Sequence, residues 1–142
     1  MGKKLALVYW SGTGNTEMMA ETIADVLEEY DSSLIYDFVS DANVEDVAKA
    51  DRIFLGCPAM TAEDIEEFEF RPFFEDLKPH LEGKECILFG SYDWGGGQWL
   101  ESWKDEVEAF EGKVIASYKI QWDPDEDELE ELRESVTNLM NE

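Results

Sequence analysis

The chain has 142 residues and a formal net charge of −24, from 35 acidic and 11 basic side chains. This length suits one domain, and a hydrophobic content of 44% supplies a core, which excludes a disordered chain. The shortage of Lys and Arg argues against nucleic-acid partners and against docking on an anionic membrane. The first apolar run stops at Trp10 without a cleavage pattern, and no run approaches the roughly 18 residues of a membrane span. We therefore expect a cytoplasmic protein.

Short apolar runs alternate with amphipathic stretches along the chain. In chain order, we predict a strand at 5–10 and a helix at 16–30, then a strand at 34–39 and a short helix capped by Asn43 and ending at Ala48. A strand at 52–57 and a helix at 71–77 follow, then a strand at 86–90 and a helix at 98–110. The last pair is a strand at 114–120 and a helix at 125–140. This alternation predicts an α/β fold, a doubly wound parallel sheet with helices on both faces.

The two cysteines, Cys57 and Cys86, lie inside apolar runs and are 29 positions apart. We interpret them as small core residues of a reducing compartment rather than as a disulfide or a metal pair.

Ligands of such sheets bind beyond the carboxyl ends of the strands. The loop after the first predicted strand consists of Ser11, Gly12, Thr13, Gly14, Asn15 and Thr16. Its hydroxyls, its flexible glycines and the start of the following helix together favour a phosphate. The loop has no Lys and lacks the third glycine of a dinucleotide fingerprint, so we expect it to hold a phosphate and leave it unreacted. An ordinary turn that caps a helix is the alternative.

Two further loops follow the third and fourth predicted strands. The second loop contains Pro58, Ala59, Met60, Thr61, Ala62 and Glu63, and the third contains Ser91, Tyr92, Asp93, Trp94 and Gly95. Met60 and Trp94 could sandwich a planar ring, one by sulfur contact and the other by stacking. Taken alone, Met60 is better explained by core packing than by contact with a cofactor.

Three motifs, in this order and spacing, resemble the short-chain flavodoxins of anaerobic bacteria. They are Val-Tyr-Trp-Ser-Gly-Thr-Gly-Asn-Thr-Glu at 8–17, Gly-Cys-Pro-Ala-Met at 56–60 and Phe-Gly-Ser-Tyr-Asp-Trp-Gly at 89–95. The resemblance runs from about Leu5 to the last helix. It implies one flavodoxin-like domain over 1–142, with a five-stranded sheet of order 2-1-3-4-5 that binds one FMN noncovalently.

The resemblance also implies a role for each loop. The first loop would hold the FMN phosphate, and Met60 and Trp94 would lie against the two faces of the isoalloxazine. Glu63 matches the family glutamate that accepts a hydrogen bond from the flavin N3–H. Ser91, Tyr92 and Gly95 would belong to the loop around the ring and the ribityl chain.

The function that follows from the resemblance is low-potential one-electron transfer between redox enzymes, with the flavin cycling between semiquinone and hydroquinone. Such a protein is an electron carrier rather than an enzyme, and we expect a monomer. Its expected partners are redox proteins with basic docking patches, which the acidic surface would attract. We expect the acids of the second loop and its continuation to form an acidic rim at the site: Glu63, Asp64, Glu66, Glu67 and Glu69.

Two positions depart from the family pattern. Thr61 stands where relatives usually have glycine, in a turn thought to flip on one-electron reduction. Because a β-branched residue disfavours positive φ, we expect Thr61 to lower semiquinone stability by about 1–2 kcal/mol relative to glycine. Thr61→Gly would then raise the maximal semiquinone fraction. Asp93 also stands where relatives often have glycine, and would disfavour an anionic flavin if it points inward.

Other classes share parts of this pattern. A flavodoxin-like activator of ribonucleotide reductase tends to lack a complete first loop. A receiver domain lacks support because no acids follow the first strand, and neither cysteine begins the C-x5-R loop of a phosphatase. A flavin-dependent quinone or azo reductase and a non-redox phosphate-binding module remain alternatives. NAD(P)H oxidation would reveal the first, and a colourless protein would indicate the second.

Overall fold

The computed structural model describes residues 3–60 and 63–142. Within these residues, the strands are β1 (Leu5–Tyr9), β2 (Ile35–Phe38), β3 (Arg52–Gly56), β4 (Glu85–Tyr92) and β5 (Lys113–Gln121). The helices are α1 (Asn15–Leu27), α2 (Val44–Ala48), α3 (Phe70–Leu77), α4 (Gln98–Ala109) and α5 (Glu126–Met140). Short 3-10 turns occupy Val39–Asp41 and Lys78–His80.

The strands form one parallel sheet of order β2-β1-β3-β4-β5. The predicted fold class and strand order are therefore confirmed. The topological switch point lies between β1 and β3. The chain proceeds from β1 to β2 on one side of this point, and from β3 to β4 on the other side. The carboxyl ends of these two strands flank the crevice in which such sheets bind ligands.

Both faces of the sheet are buried along the central strands β1, β3 and β4, as their near-continuous apolar runs require. Alternate residues of β1, Ala6 and Val8, face a core cluster that also includes side chains of α2, α3 and α4. Leu5 and Leu7 face the opposite cluster, which is completed by α1 and α5. The protein thus has three layers, with the sheet in the middle.

Two predicted helix starts are confirmed by side-chain caps. Asn43 Oδ1 accepts the Asp46 N–H at 3.0 Å, which begins α2. Asp125 and Glu128 form a reciprocal capping box at the start of α5, where acids also suit the helix dipole.

Two element boundaries differ from the prediction by more than one residue. β4 continues through Ser91 and Tyr92, which we expected in a loop, because β5 extends to Gln121 and pairs with Tyr92. α1 ends at Leu27 rather than at Tyr30. Beyond it, the Asp31 carboxylate accepts the Leu5 N–H at 2.9 Å, which draws the chain back to the sheet.

Cys57 and Cys86 are both buried and unpaired, which confirms their prediction as core residues. Burial raises the pKa of both thiols, that of Cys86 to about 12. Neither thiol is therefore a nucleophile near neutral pH.

The amino-terminal edge of the sheet is held by one cluster of charges. Glu85 Oε1 pairs with Arg52 Nε at 2.7 Å and with Lys3 Nζ at 3.3 Å. Arg52 Nη1 also contacts Met140 Sδ at 3.4 Å, which fixes the end of α5 at this edge. In the part of the chain that the structure describes, no helix is long and apolar enough to cross a membrane.

Candidate functional site

The loops beyond β1, β3 and β4 surround a cavity of about 480 Å³. This volume lies within the range of small-molecule sites, roughly 300–1,000 Å³. Its lining residues are Trp10, Gly12, Thr13, Pro58, Ala59, Met60, Glu63, Ser91, Tyr92, Asp93, Trp94 and Gly95. All of them except Trp10 belong to the site predicted from the sequence, so the fold brings the three loops together.

The first loop is shaped by the side chain of Ser11. Its Oγ accepts the N–H groups of Gly14 at 3.1 Å and of Glu17 at 3.2 Å, and so folds the loop over the start of α1. Gly14 precedes the helix with φ +101°, a conformation that glycine adopts without strain. The positive end of the α1 dipole therefore points toward the loop.

Two other loop residues bind protein groups outside the loop. Thr16 is buried, and its Oγ1 lies 3.0 Å from Ser91 Oγ and accepts the Ser91 N–H at 3.2 Å. Asn15 Nδ2 donates to Asp123 Oδ1 at 2.9 Å. These contacts join the first loop to the ends of β4 and β5. Ser11, Gly14, Asn15 and Thr16 belong to the predicted site but are not among the residues that line the cavity.

Glu63 is held at the floor of the second loop. Its Oε2 accepts the Trp99 N–H in the first turn of α4 at 3.1 Å, while Oε1 lies against Gly95. Its own N–H donates to the Met60 carbonyl at 2.9 Å. Glu63 has φ +54°, an uncommon conformation for a residue other than glycine, and such strain often accumulates at functional sites.

Thr61 and Ala62 lie outside the described residues, although both belong to the predicted site. The hypothesis that Thr61 restrains a turn on reduction therefore stays a prediction.

Two large apolar side chains that line the cavity are exposed to solvent. Met60 is 38% exposed and Trp94 is 80% exposed. Trp10 forms a further wall: its indole packs over Gly12, and its Nε1 donates to Glu69 Oε1 at 3.1 Å. A flat apolar ligand would remove these surfaces from water, which is favourable in proportion to the area covered.

Sequence reasoning missed two aromatic residues near the cavity. Trp10 ends the first apolar run directly before Ser11, and that position at a strand end was a usable signal. Trp122 packs edge-on against Trp94, with ring centroids 4.7 Å apart and an interplanar angle of 89°. No local pattern indicates that contact, because the two residues are far apart in the chain.

The acids near the cavity differ in their surroundings. Glu67 and Asp93 are exposed, and Asp93 lines the cavity. Asp64 forms an ion pair with Arg71, Nη2 to Oδ1 at 2.6 Å. The expectation that Glu66 belongs to an exposed acidic rim is wrong. Glu66 is buried, and its carboxylate accepts the N–H groups of residues 68, 69 and 70, which fixes the chain before α3.

The chain matches the family model described as Flavodoxin over residues 7–135. It belongs to the flavodoxin family. Among curated flavodoxins, it is 45% identical to that of Megasphaera elsdenii over 92% of this chain and 96% of the relative. It is 39% identical to the flavodoxin of Clostridium beijerinckii over 95% of this chain and the whole of the relative. The solution structure of two-electron reduced Megasphaera elsdenii flavodoxin superimposes with a TM-score of 0.82 at 43% identity, over 94% of this chain and 98% of that one.

The resemblance to short-chain flavodoxins expected from the three loop motifs is thus confirmed. Flavodoxins are electron carriers that use FMN, so the family itself defines the broad function of this chain. The matched flavodoxin structure has the same layered arrangement of sheet and helices.

Proposed function

We propose that this flavodoxin binds one FMN noncovalently at the cavity and carries single electrons at low potential between redox enzymes. It works as a cytoplasmic monomer and as a carrier rather than as an enzyme with a substrate of its own. The residues that would hold FMN belong to the three loops at 11–16, 58–63 and 91–95. The observation that carries the proposal is the cavity itself, which the exposed side chains of Met60 and Trp94 both line.

The apolar part of the cavity fits an isoalloxazine. A thioether and an indole both interact favourably with the faces of aromatic rings, and together they leave a planar ligand accessible at its edge. An indole exposed to 80% is costly to leave in water, and a bound flavin ring would cover part of it.

The polar part of the cavity fits the rest of FMN. The first loop and the α1 N-terminus favour a dianionic phosphate without a cationic side chain in the loop. Gly95 leaves room beside Glu63 Oε1, where any side chain would collide with the carboxylate. Glu63 Oε1 would then accept the N–H of the ring, while Oε2 keeps its bond to the Trp99 amide.

Bound FMN supplies one-electron chemistry, because a flavin accepts and releases electrons singly. The residues around it set the energy of the charge that arrives. Each exposed acid about 10 Å away raises that energy by roughly 0.4 kcal/mol in bulk water, before salt screening. Asp93 is an exposed acid that lines the cavity, and it favours a low reduction potential.

The same charges support the proposed partners. A net charge of −24 creates a negative field that attracts basic docking surfaces and increases the rate of encounter. Association with such partners would become slower as the salt concentration rises.

The first experiment is anaerobic stepwise reduction of the FMN-loaded protein, followed by visible absorption. We expect one FMN per chain and two separate one-electron steps, with a blue intermediate between the yellow and the bleached forms. The loaded protein should not oxidise NAD(P)H in the steady state.

Three results would contradict the proposal. A protein that stays colourless after incubation with FMN does not bind this cofactor. A protein that bleaches in a single two-electron step and oxidises NAD(P)H is a reductase. A protein that binds FMN but exchanges no electrons with a basic redox protein at low salt is not a carrier of this type.

A further inference from the structure

Three consecutive residues at the end of β5 each contact a different part of the site. Gln121 Nε2 donates to the Asp93 carbonyl at 2.9 Å, and Asp123 Oδ1 accepts from Asn15 Nδ2 at 2.9 Å. Between them, Trp122 packs against Trp94. None of the three is among the residues that line the cavity.

Hydrogen bonds fix the backbone at Trp122. Its N–H donates to the Tyr92 carbonyl at 2.8 Å, which continues the β4–β5 ladder by one bond. It has φ +63°, a strained conformation for a bulky residue. The ladder bond and the neighbouring Gln121–Asp93 bond hold the chain in this conformation, so the indole of Trp122 is presented at a defined place.

That place is beside the indole of Trp94. The two rings meet at 89° with centroids 4.7 Å apart, which is the favoured edge-to-face arrangement of aromatic pairs. Trp94 remains 80% exposed despite this contact, and it lies in a loop beside three consecutive glycines. A side chain on such a loop has several accessible orientations unless a neighbour favours one of them.

We infer that Trp122 is a positioning residue that acts through Trp94 and thereby sets the affinity of the protein for FMN. The inference rests on the proposed binding of FMN. Trp122 favours the orientation of Trp94 in which the indole face is turned to the cavity. Because apparent affinity scales with the fraction of protein in the binding-competent orientation, loss of Trp122 weakens binding without removing any ligand contact.

The first test uses the apoprotein and needs no ligand. Two indoles in edge-to-face contact couple their transitions and give a bisignate band in far-ultraviolet circular dichroism. We expect this band in the wild-type apoprotein and in Phe110→Ala, and expect it to be lost in Trp122→Ala and in Trp94→Ala. Phe110 is a matched control because it is also 43% exposed and lies at the end of α4.

The second test measures the FMN dissociation constant by fluorescence quenching. We expect Trp122→Ala to raise it about two- to tenfold, the range that one aromatic pair supplies. Trp122→Phe keeps an aromatic edge and should restore the dissociation constant to within about twofold of the wild type. Phe110→Ala should bind FMN as the wild type does. In a Trp94→Ala background, Trp122→Ala should have no further effect, since its partner is gone.

The possible failures are distinguishable. If the wild type does not bind FMN, the proposed function and this inference are both wrong, whatever the circular dichroism shows. If the wild type binds FMN and Trp122→Ala binds equally well, only the inference is wrong. Equal weakening by Trp122→Ala with and without Trp94 would also overturn it, because the effect would then not pass through Trp94.

Discussion

Among the glycines of the site, Gly95 leaves the least space for a side chain. It has φ +91°, and a Cβ there would collide with Glu63 Oε1. An alanine would therefore both strain the backbone and push the carboxylate away from the Trp99 amide. The next residue, Gly96, has open space around its Cα and no positive φ, so it offers a control one position away.

We predict that Gly95→Ala raises the FMN dissociation constant about tenfold or more, the usual loss when a hydrogen bond to a charged group is broken. Gly96→Ala should change it by less than about twofold, since nothing within van der Waals distance is displaced. Fluorescence titration with FMN measures both. Identical affinities for the two variants would mean that the ligand does not use the Glu63 carboxylate.

At the scale of elements, Arg71 joins α3 to α4 and to the second loop. It donates to Glu106 Oε1 at 2.7 Å, to Glu75 Oε2 at 3.0 Å and to Asp64 Oδ1 at 2.6 Å. Lys78 Nζ adds ion pairs to Glu75 at 2.8 Å and to Glu106 at 2.9 Å. Asp64 in turn accepts the Met60 N–H through its carbonyl, so the network reaches the cavity wall.

The network shifts the titration of its acids. Burial alone would raise the pKa of Glu106, but hydrogen bonds from Arg71 and Lys78 outweigh it and hold the pKa below the ordinary value of 4.5. Hydrogen bonds from Lys78 and Arg71 likewise lower the pKa of Glu75. A carboxylate with a depressed pKa stabilises the fold above its ordinary pKa, and this stabilisation is lost as pH falls through the folded-state value.

We predict that Arg71→Met lowers the free energy of unfolding by about 1–3 kcal/mol at pH 7, because several hydrogen-bonded carboxylates lose their partner. The difference from the wild type should shrink as pH falls below about 4.5, where the acids become protonated. Urea denaturation of the apoprotein at several pH values measures both.

Arg133 provides the matched control for this prediction. Its ion pairs are long, 3.6 Å to Asp25 and 4.0 Å to Glu130, and its side chain is 41% exposed. Arg133→Met should therefore cost less than about 0.5 kcal/mol. A loss as large as that of Arg71→Met would show that removal of any positive charge from this acidic chain has the same effect.

Much of the fold could be predicted from the sequence, because buried parallel strands are short apolar runs that alternate with amphipathic helices. The strand order was implied by the resemblance of the three loop motifs to flavodoxins. The ends of β4 and α1 could not. Ser91 and Tyr92 look like loop residues, and only their pairing with the end of β5 makes them part of a strand. The end of α1 depends on Asp31 reaching the first residue of β1, a contact between residues 26 positions apart.

The site was predictable where chemistry is carried by short motifs and unpredictable where it depends on tertiary contacts. The three loops were recognised because each motif lies within a few positions: hydroxyls and glycines in the first loop, Met60 and Glu63 in the second, and Trp94 beside glycine in the third. The burial of Glu66 and the contact of Trp122 with Trp94 could not be predicted, since neither has a sequence signature. Glu66 looks like its exposed neighbours and differs only in the three amides that it caps.

At the scale of the whole molecule, the feature that most affects stability is the net charge of −24. Mutual repulsion of the acids destabilises the compact state, and salt weakens that repulsion. We predict that the melting temperature of the apoprotein rises by several degrees between about 0.01 M and about 1 M NaCl, over which the Debye length falls from roughly 30 Å to roughly 3 Å. Thermal unfolding followed by circular dichroism measures the shift.

The same scan at about pH 4 is the control for this prediction, because partial protonation of the carboxylates reduces the repulsion that salt would screen. The rise in melting temperature should be smaller there. A melting temperature that is independent of salt at pH 7 would mean that the acids are spaced widely enough not to repel one another.

Lys3 and Met140, near the two ends of the described chain, meet at the charge cluster around Arg52 and Glu85. The cavity lies at the other end of the same strands, and β4 alone separates the two by roughly 23 Å. A linker joined at either end would therefore leave the cavity unobstructed. Copies attached to an electrode by such a linker would all have the cavity facing the solution. A fusion partner joined at either end would leave the cavity free for contact with other proteins.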